Sequence, residues 1–103
     1  MSHPITPEAA LLIERAKHLA DEMASAARWG LPIPTLVAIN NYANIEGARF
    51  TVTSIDDFDA WAEYAEANVH EYDHDDRHWH AGVGDLCGLA VSFSVATPIA
   101  VTA

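Results

Sequence analysis

The sequence predicts an α+β domain: a mostly antiparallel sheet of four or five strands with two helices, in the order α-β-β-α-β-β-β. Three observations predict it. Two stretches repeat apolar residues at helical spacing behind a capping residue, and several short stretches alternate apolar with polar residues, as half-buried strands do. The chain has 103 residues, which suits a single small domain spanning 1–103. Half of the residues are hydrophobic and 19% are charged, a composition that folds rather than remaining disordered.

The first helix lies in TPEAALLIERAKHLADEMASAARWG, Thr6 to Gly30. Thr6 suits the N-cap, Pro7 the first helical position, Glu8 the first turn and Gly30 the stop. Leu12, Ala16, Leu19, Met23 and Ala27 form the expected apolar stripe. Pro32 and Pro34 then forbid helix and lead, extended, into a strand with Val37 and Ile39 on one side and Ala38 and Asn40 on the other. A turn is expected from Ala43 to Ala48, with Gly47 at positive φ. Phe50 and Val52 alternate inward against Arg49, Thr51 and Thr53.

The second helix lies in SIDDFDAWAEYAEA. Ser54 with Asp57 three residues on resembles a capping box, and Ile55, Phe58, Trp61, Ala62 and Ala65 make its apolar stripe. Asp56, Asp57 and Asp59 compensate the helix dipole in the first turn; no glycine bends them into a calcium loop. Three strands are expected after Asn68: Val69–His74, His78–Val83 and Leu89–Ala96. Asp75-Asp76 and the GDLCG segment (Gly84–Gly88) supply the turns.

The stretch HEYDHDDRHWH, His70 to His80, carries four of the six histidines. Its meaning depends on register. A two-residue turn at Asp75-Asp76 pairs Asp73 with His78, Tyr72 with Trp79 and Glu71 with His80. Tyr72, Trp79, Ala81 and Val83 are then expected on the core face, with the acid–histidine pairs in solvent. A turn one residue longer gathers His70, Tyr72, His74, His78 and His80 on one face, where imidazoles bind zinc or nickel. It also buries Glu71 and Asp73 without partners, at a cost of several kcal/mol, roughly. A one-residue slip exchanges the faces, so the readings exclude each other, and the apolar pattern selects the two-residue turn.

The formal charge is −10, from fifteen acids against five Lys and Arg. That balance argues against direct binding to nucleic acid or an anionic membrane, and favours a basic protein partner. Cys87 is the only cysteine, so neither an intramolecular disulfide nor a cysteine zinc site is expected, and its turn offers no basic neighbour for a thiolate. Ser92 and Ser94 sit in a strand without a nucleophile elbow. No signal peptide, membrane span, phosphate loop or cofactor motif is read, so the expected compartment is the cytoplasm.

Asp56, Asp57, Ala60, Trp61 and Ala62 form a DDxxAWA helix, followed by the Trp-led strand at Trp79, a glycine turn and a final strand. In this the chain resembles a type of small protein encoded in actinobacteria and their phages, over its last two thirds. The resemblance implies the α-β-β-α-β-β-β order and a bacterial or phage origin, hence host cytoplasm if phage-encoded. It carries no activity with it.

The expected function is that of a small acidic interaction or accessory protein without catalysis, and a homodimer. Its expected binding surface comprises Asp56, Asp59 and Glu63 on the second helix, Glu71, Asp73, Asp75 and Asp76 on the hairpin, and Trp29 as an exposed contact. Two alternatives follow from the same stretches: a metal-binding protein using His70, His74, His78 and His80, and a phage-type inhibitor that mimics nucleic-acid charge.

Overall fold

Thr6 accepts a 3.1 Å hydrogen bond from the Ala9 amide and starts helix α1, Pro7–Arg28. Gly30, at φ 81°, ends it, and the chain turns into the extended segment before strand β1, Leu36–Ile39. Strand β2, Ala48–Thr51, precedes helix α2, Ile55–Tyr64. Strands β3, Asn68–His74, β4, Arg77–Leu86, and β5, Leu89–Pro98, follow. This is a computed structural model, and it describes residues 3–40 and 45–99. Ala43 and Asn44 of the expected turn lie outside the described residues.

The α-β-β-α-β-β-β order and the α+β class are those expected, with five strands in the order β1-β2-β5-β4-β3. The pairs β1–β2, β3–β4 and β4–β5 are antiparallel, while β2 and β5 run parallel through Ala48↔Val91 to Thr51↔Ser94. The last strand in chain order is therefore the centre of the sheet.

Both helices pack on one face. Phe50 stacks on Phe93 at 5.2 Å between centroids, Trp61 meets the Phe50 edge at 4.8 Å, and Phe58 tilts against Phe93 at 5.3 Å. These rings, with Val91, Val95, Leu86, Leu89, Ala48 and Val52, form the buried core. Trp61 is 1% exposed, and its indole N–H donates to the Pro32 carbonyl at 2.9 Å, which ties the proline segment to α2. Among the described residues, the opposite face of the sheet carries no helix.

Ser54 caps α2 by accepting from the Asp57 amide at 3.1 Å, while the Asp57 carboxylate takes the Thr53 hydroxyl instead of closing a full capping box. Glu66, at φ 49°, ends the helix as the Ala67 amide returns to the Ala62 carbonyl.

Two expectations need correcting. On α1 the buried residues are Leu19 and Ala26, whereas Ala27 is exposed and Leu12 is 39% exposed. Leu12 shares its direction with Leu19, seven residues on, but the first half of α1 finds little core beneath it; Arg15 bonds the Asn40 and Ile45 carbonyls there instead. Gly47 is buried and does not adopt positive φ. A Cβ there would come within 2.5 Å of Leu89, so close packing, not a turn conformation, explains the glycine. No helix among the described residues is long and apolar enough to cross a membrane.

Candidate functional site

The β3–β4 turn is built by two aspartates. Asp75 and Asp76 lie at φ 52° and 59°, two successive left-handed residues that match the twist of a two-residue hairpin. Aspartate tolerates that conformation better than most residues. The turn sets the expected register: His74↔Arg77, Asp73↔His78, Tyr72↔Trp79 and Glu71↔His80.

The pairs are as expected, but the faces are reversed. His80 lies opposite Val95 of β5 and its ring centroid is 5.7 Å from that of Phe58, so Glu71, Asp73, His78 and His80 occupy the side on which α2 packs. Tyr72 and Val83, expected in the core, are 44% and 49% exposed on the helix-free face, with Trp79 and Ala81 half-buried beside them. The cause is a pair of glycines. Gly82 and Gly84 stand on the helix side of β4, where Phe93, Ala65 and Ala67 press directly against their backbone. Burial there is carried by residues with no side chain, which an apolar pattern does not register. Glu71 and Asp73 nevertheless stay in water, because β3 is the sheet edge and every one of its residues is exposed.

On this helix-ward side the groups converge. The His78 Nδ1 lies 2.6 Å from Asp73 Oδ1 and its Nε2 lies 2.9 Å from Glu71 Oε1. The Nδ1 of His80 is 3.5 Å from the same Glu71 oxygen, and the two imidazole rings meet edge to face at 5.0 Å. Hydrogen bonding to Glu71, then to Asp73, holds the His78 pKa above its usual value; the same bond to His78, with the charge of His80, holds Glu71 below the usual carboxylate range.

His70 and His74 are not part of this cluster. The register puts them on the other face, where the His70 ring stacks on Tyr72 at 5.8 Å and Tyr72 on Trp79 at 6.3 Å. His74 reaches Asp75 at the tip, 3.1 Å away. The expected four-histidine ligand set His70, His74, His78 and His80 thus divides between two faces. In its place the helix-ward side assembles Glu71, His78 and His80, a mixed set that a search for histidines alone overlooks.

Of the expected binding surface, Asp56, Asp59 and Glu63 are exposed on α2, and Asp75 and Asp76 are exposed at the tip. Trp29 is 78% exposed and borders a depression it shares with Ala60, Glu63 and Tyr64, so the tryptophan joins the acidic side of α2. Cys87 is exposed, and the Glu22 carboxylate pushes its thiol pKa upward, against nucleophilic use. No protein-family model matches the chain, and no curated protein or solved structure does so either.

Proposed function

We propose that this protein is a small acidic accessory protein of bacterial or phage origin, without catalysis of its own, that binds a basic protein partner. The observation that carries the reading is where the charge lies. Residues 50–76 contain no Lys or Arg and hold Asp56, Asp57, Asp59, Glu63, Glu66, Glu71, Asp73, Asp75 and Asp76, nine of the fifteen acids. These map onto the outer side of α2, its exit and the β3–β4 hairpin, elements that adjoin through the Phe58–His80 contact. A field of one sign raises the encounter rate with an oppositely charged surface and fades as salt screens it. Trp29, beside Glu63, supplies the large ring that interface centres favour.

The test is capture of a partner from a bacterial lysate on the immobilised protein at low and high salt. Asp59→Lys with Glu63→Lys on α2 is compared with Glu8→Lys and Glu14→Lys on α1, the same change in net charge elsewhere. The reading expects a basic protein retained at low salt, released at high salt, and lost only with the α2 pair. Equal loss with either pair would reduce the effect to bulk charge and overturn it. The same proposal includes a homodimer, joined through α1 or an edge strand; light scattering at micromolar concentration that returns only an 11.2 kDa species would remove that part.

A further inference from the structure

The geometry points to a divalent transition-metal site on the helix-ward side of the hairpin, with Glu71 Oε1, His78 Nε2 and His80 Nδ1 as ligands and Asp73 as the residue that positions His78. It shares Glu71 and Asp73 with the acidic surface, but the test of that reading alters only α1 and α2, so the two readings fail separately.

Asp73 and Glu71 flank the two ring nitrogens of His78. A neutral imidazole has one N–H. The Nδ1 lies 2.6 Å from Asp73, placed to donate its hydrogen to that carboxylate. The Nε2 faces the Glu71 carboxylate at 2.9 Å. A metal ion held between Glu71 and His78 would take the ring through Nε2 and leave Nδ1 bonded to Asp73. A histidine that binds metal through one nitrogen and donates the other to a carboxylate has the orientation such ligands generally adopt.

The distances agree. Nitrogen and carboxylate ligands sit about 2.0–2.2 Å from zinc, so neighbouring ligand atoms lie roughly 3.0–3.5 Å apart. Glu71 Oε1 is 2.9 Å from His78 Nε2 and 3.5 Å from His80 Nδ1. All three ligand atoms lie within 4.8 Å of one another. Rotation of His78, whose side chain is 37% exposed, can bring its Nε2 toward His80, which is 20% exposed and packed on Phe58. The ligands also share a rigid frame: Glu71 and His80 are cross-strand partners, and His78 is two residues before His80 on the same face.

The donor set selects the ion. Two imidazole nitrogens and one carboxylate suit Zn(II), Co(II), Ni(II) or Cu(II), whereas Ca(II) and Mg(II) seek all-oxygen shells. Three protein ligands leave at least one coordination position to water.

The experiment is calorimetric titration of the full, untagged, chelator-stripped chain with zinc chloride, with calcium chloride as the contrast. One zinc per chain and no response to calcium are expected. His80→Asn and Glu71→Gln each weaken zinc at least tenfold, by loss of a ligand. Asp73→Asn weakens it about 10–100-fold, as loss of a supporting carboxylate does. The double substitution His70→Asn and His74→Asn, on the opposite face, leaves the affinity unchanged. Because a variant can fold poorly, the ring nitrogens of the unaltered chain are followed by NMR as zinc is added: His78 Nε2 and His80 Nδ1 shift together, and those of His70 and His74 do not. Zinc that binds without moving both rings, that survives His80→Asn, or that is lost with the His70/His74 pair overturns the site.

Discussion

Gly84→Ala tests whether the close approach of α2 to β4 controls the fold. A Cβ on residue 84 would lie 2.8 Å from the Ala65 Cβ, 2.8 Å from the Ala65 carbonyl oxygen and 3.3 Å from the Ala67 Cβ. Ordinary contact begins at 3.4 Å, so the end of α2 must retreat by about 0.6 Å, and the obstacle includes backbone that no rotamer change removes. That carbonyl also accepts the Asp85 amide at 3.3 Å, so the retreat strains a bond between helix and sheet. Overpacking of this kind costs about 1–3 kcal/mol, offset by about 0.4–1 kcal/mol from the stiffer unfolded chain, for a net loss of about 1–2 kcal/mol. Gly84 is not at positive φ, so the change isolates packing from backbone strain. Urea unfolding followed by far-ultraviolet circular dichroism is the assay. With a slope of about 1–3 kcal/mol per molar, the midpoint should fall by roughly half to one molar. A midpoint equal to or above that of the unaltered protein would refute the reasoning that backbone contact at β4 seats the helix.

Trp61→Phe removes the N–H that satisfies the Pro32 carbonyl and should lower stability by about 1–3 kcal/mol, read as a urea midpoint; an unchanged midpoint would mean that the proline segment is not held there. Ser54→Ala should cost about 1 kcal/mol, since α2 is anchored in the core, whereas Thr6→Ala should fray only the exposed first turn of α1 and barely move the midpoint; equal effects would contradict the uneven docking of α1. The folded pKa of His78 lies above its unfolded value, because Glu71 and Asp73 favour the charged ring. Its contribution to stability is therefore fully present below the unfolded pKa, about 6.5, and is lost as pH rises through the folded one. An NMR titration of the His78 ring checks this, and Asp73→Asn should bring the pKa down; a ring pKa at or below the ordinary value would contradict the paired geometry.

The turn chemistry of the hairpin was legible. The turn falls at Asp75-Asp76 as expected, but its two-residue length rests on the apolar pattern, whose assignment of faces the structure reverses; once that length is set, every cross-strand pair follows. The helix caps at Thr6 and Ser54 were legible for the same reason: they are local hydrogen bonds with a residue signature. The side of the sheet that each pair occupies was not. Tyr72, Trp79 and Val83 offer the large apolar side chains that Gly82 and Gly84 lack, yet it is the glycines that let helix and strand touch. The parallel seam between β2 and β5 was equally invisible, because its partners stand 43 residues apart in sequence and no turn joins them. The candidate ligand set was legible in part: a histidine count pointed to four imidazoles, whereas strand alternation places two of them beside a glutamate and two on the other face.

The central position of β5 has a consequence for biosynthesis. While the ribosome extends the chain, the β1–β2 and β3–β4 hairpins can close in microseconds, roughly, but the strand that joins them has not yet been made. At about 5–20 residues per second, several seconds separate Thr51 from Pro98. Throughout that interval Phe50, Val52, Phe58 and Trp61 have no Val91 or Phe93 to meet, and the nascent protein offers this apolar surface to whatever chaperone or neighbouring chain is at hand. Slow codons placed after β2 would lengthen the exposure.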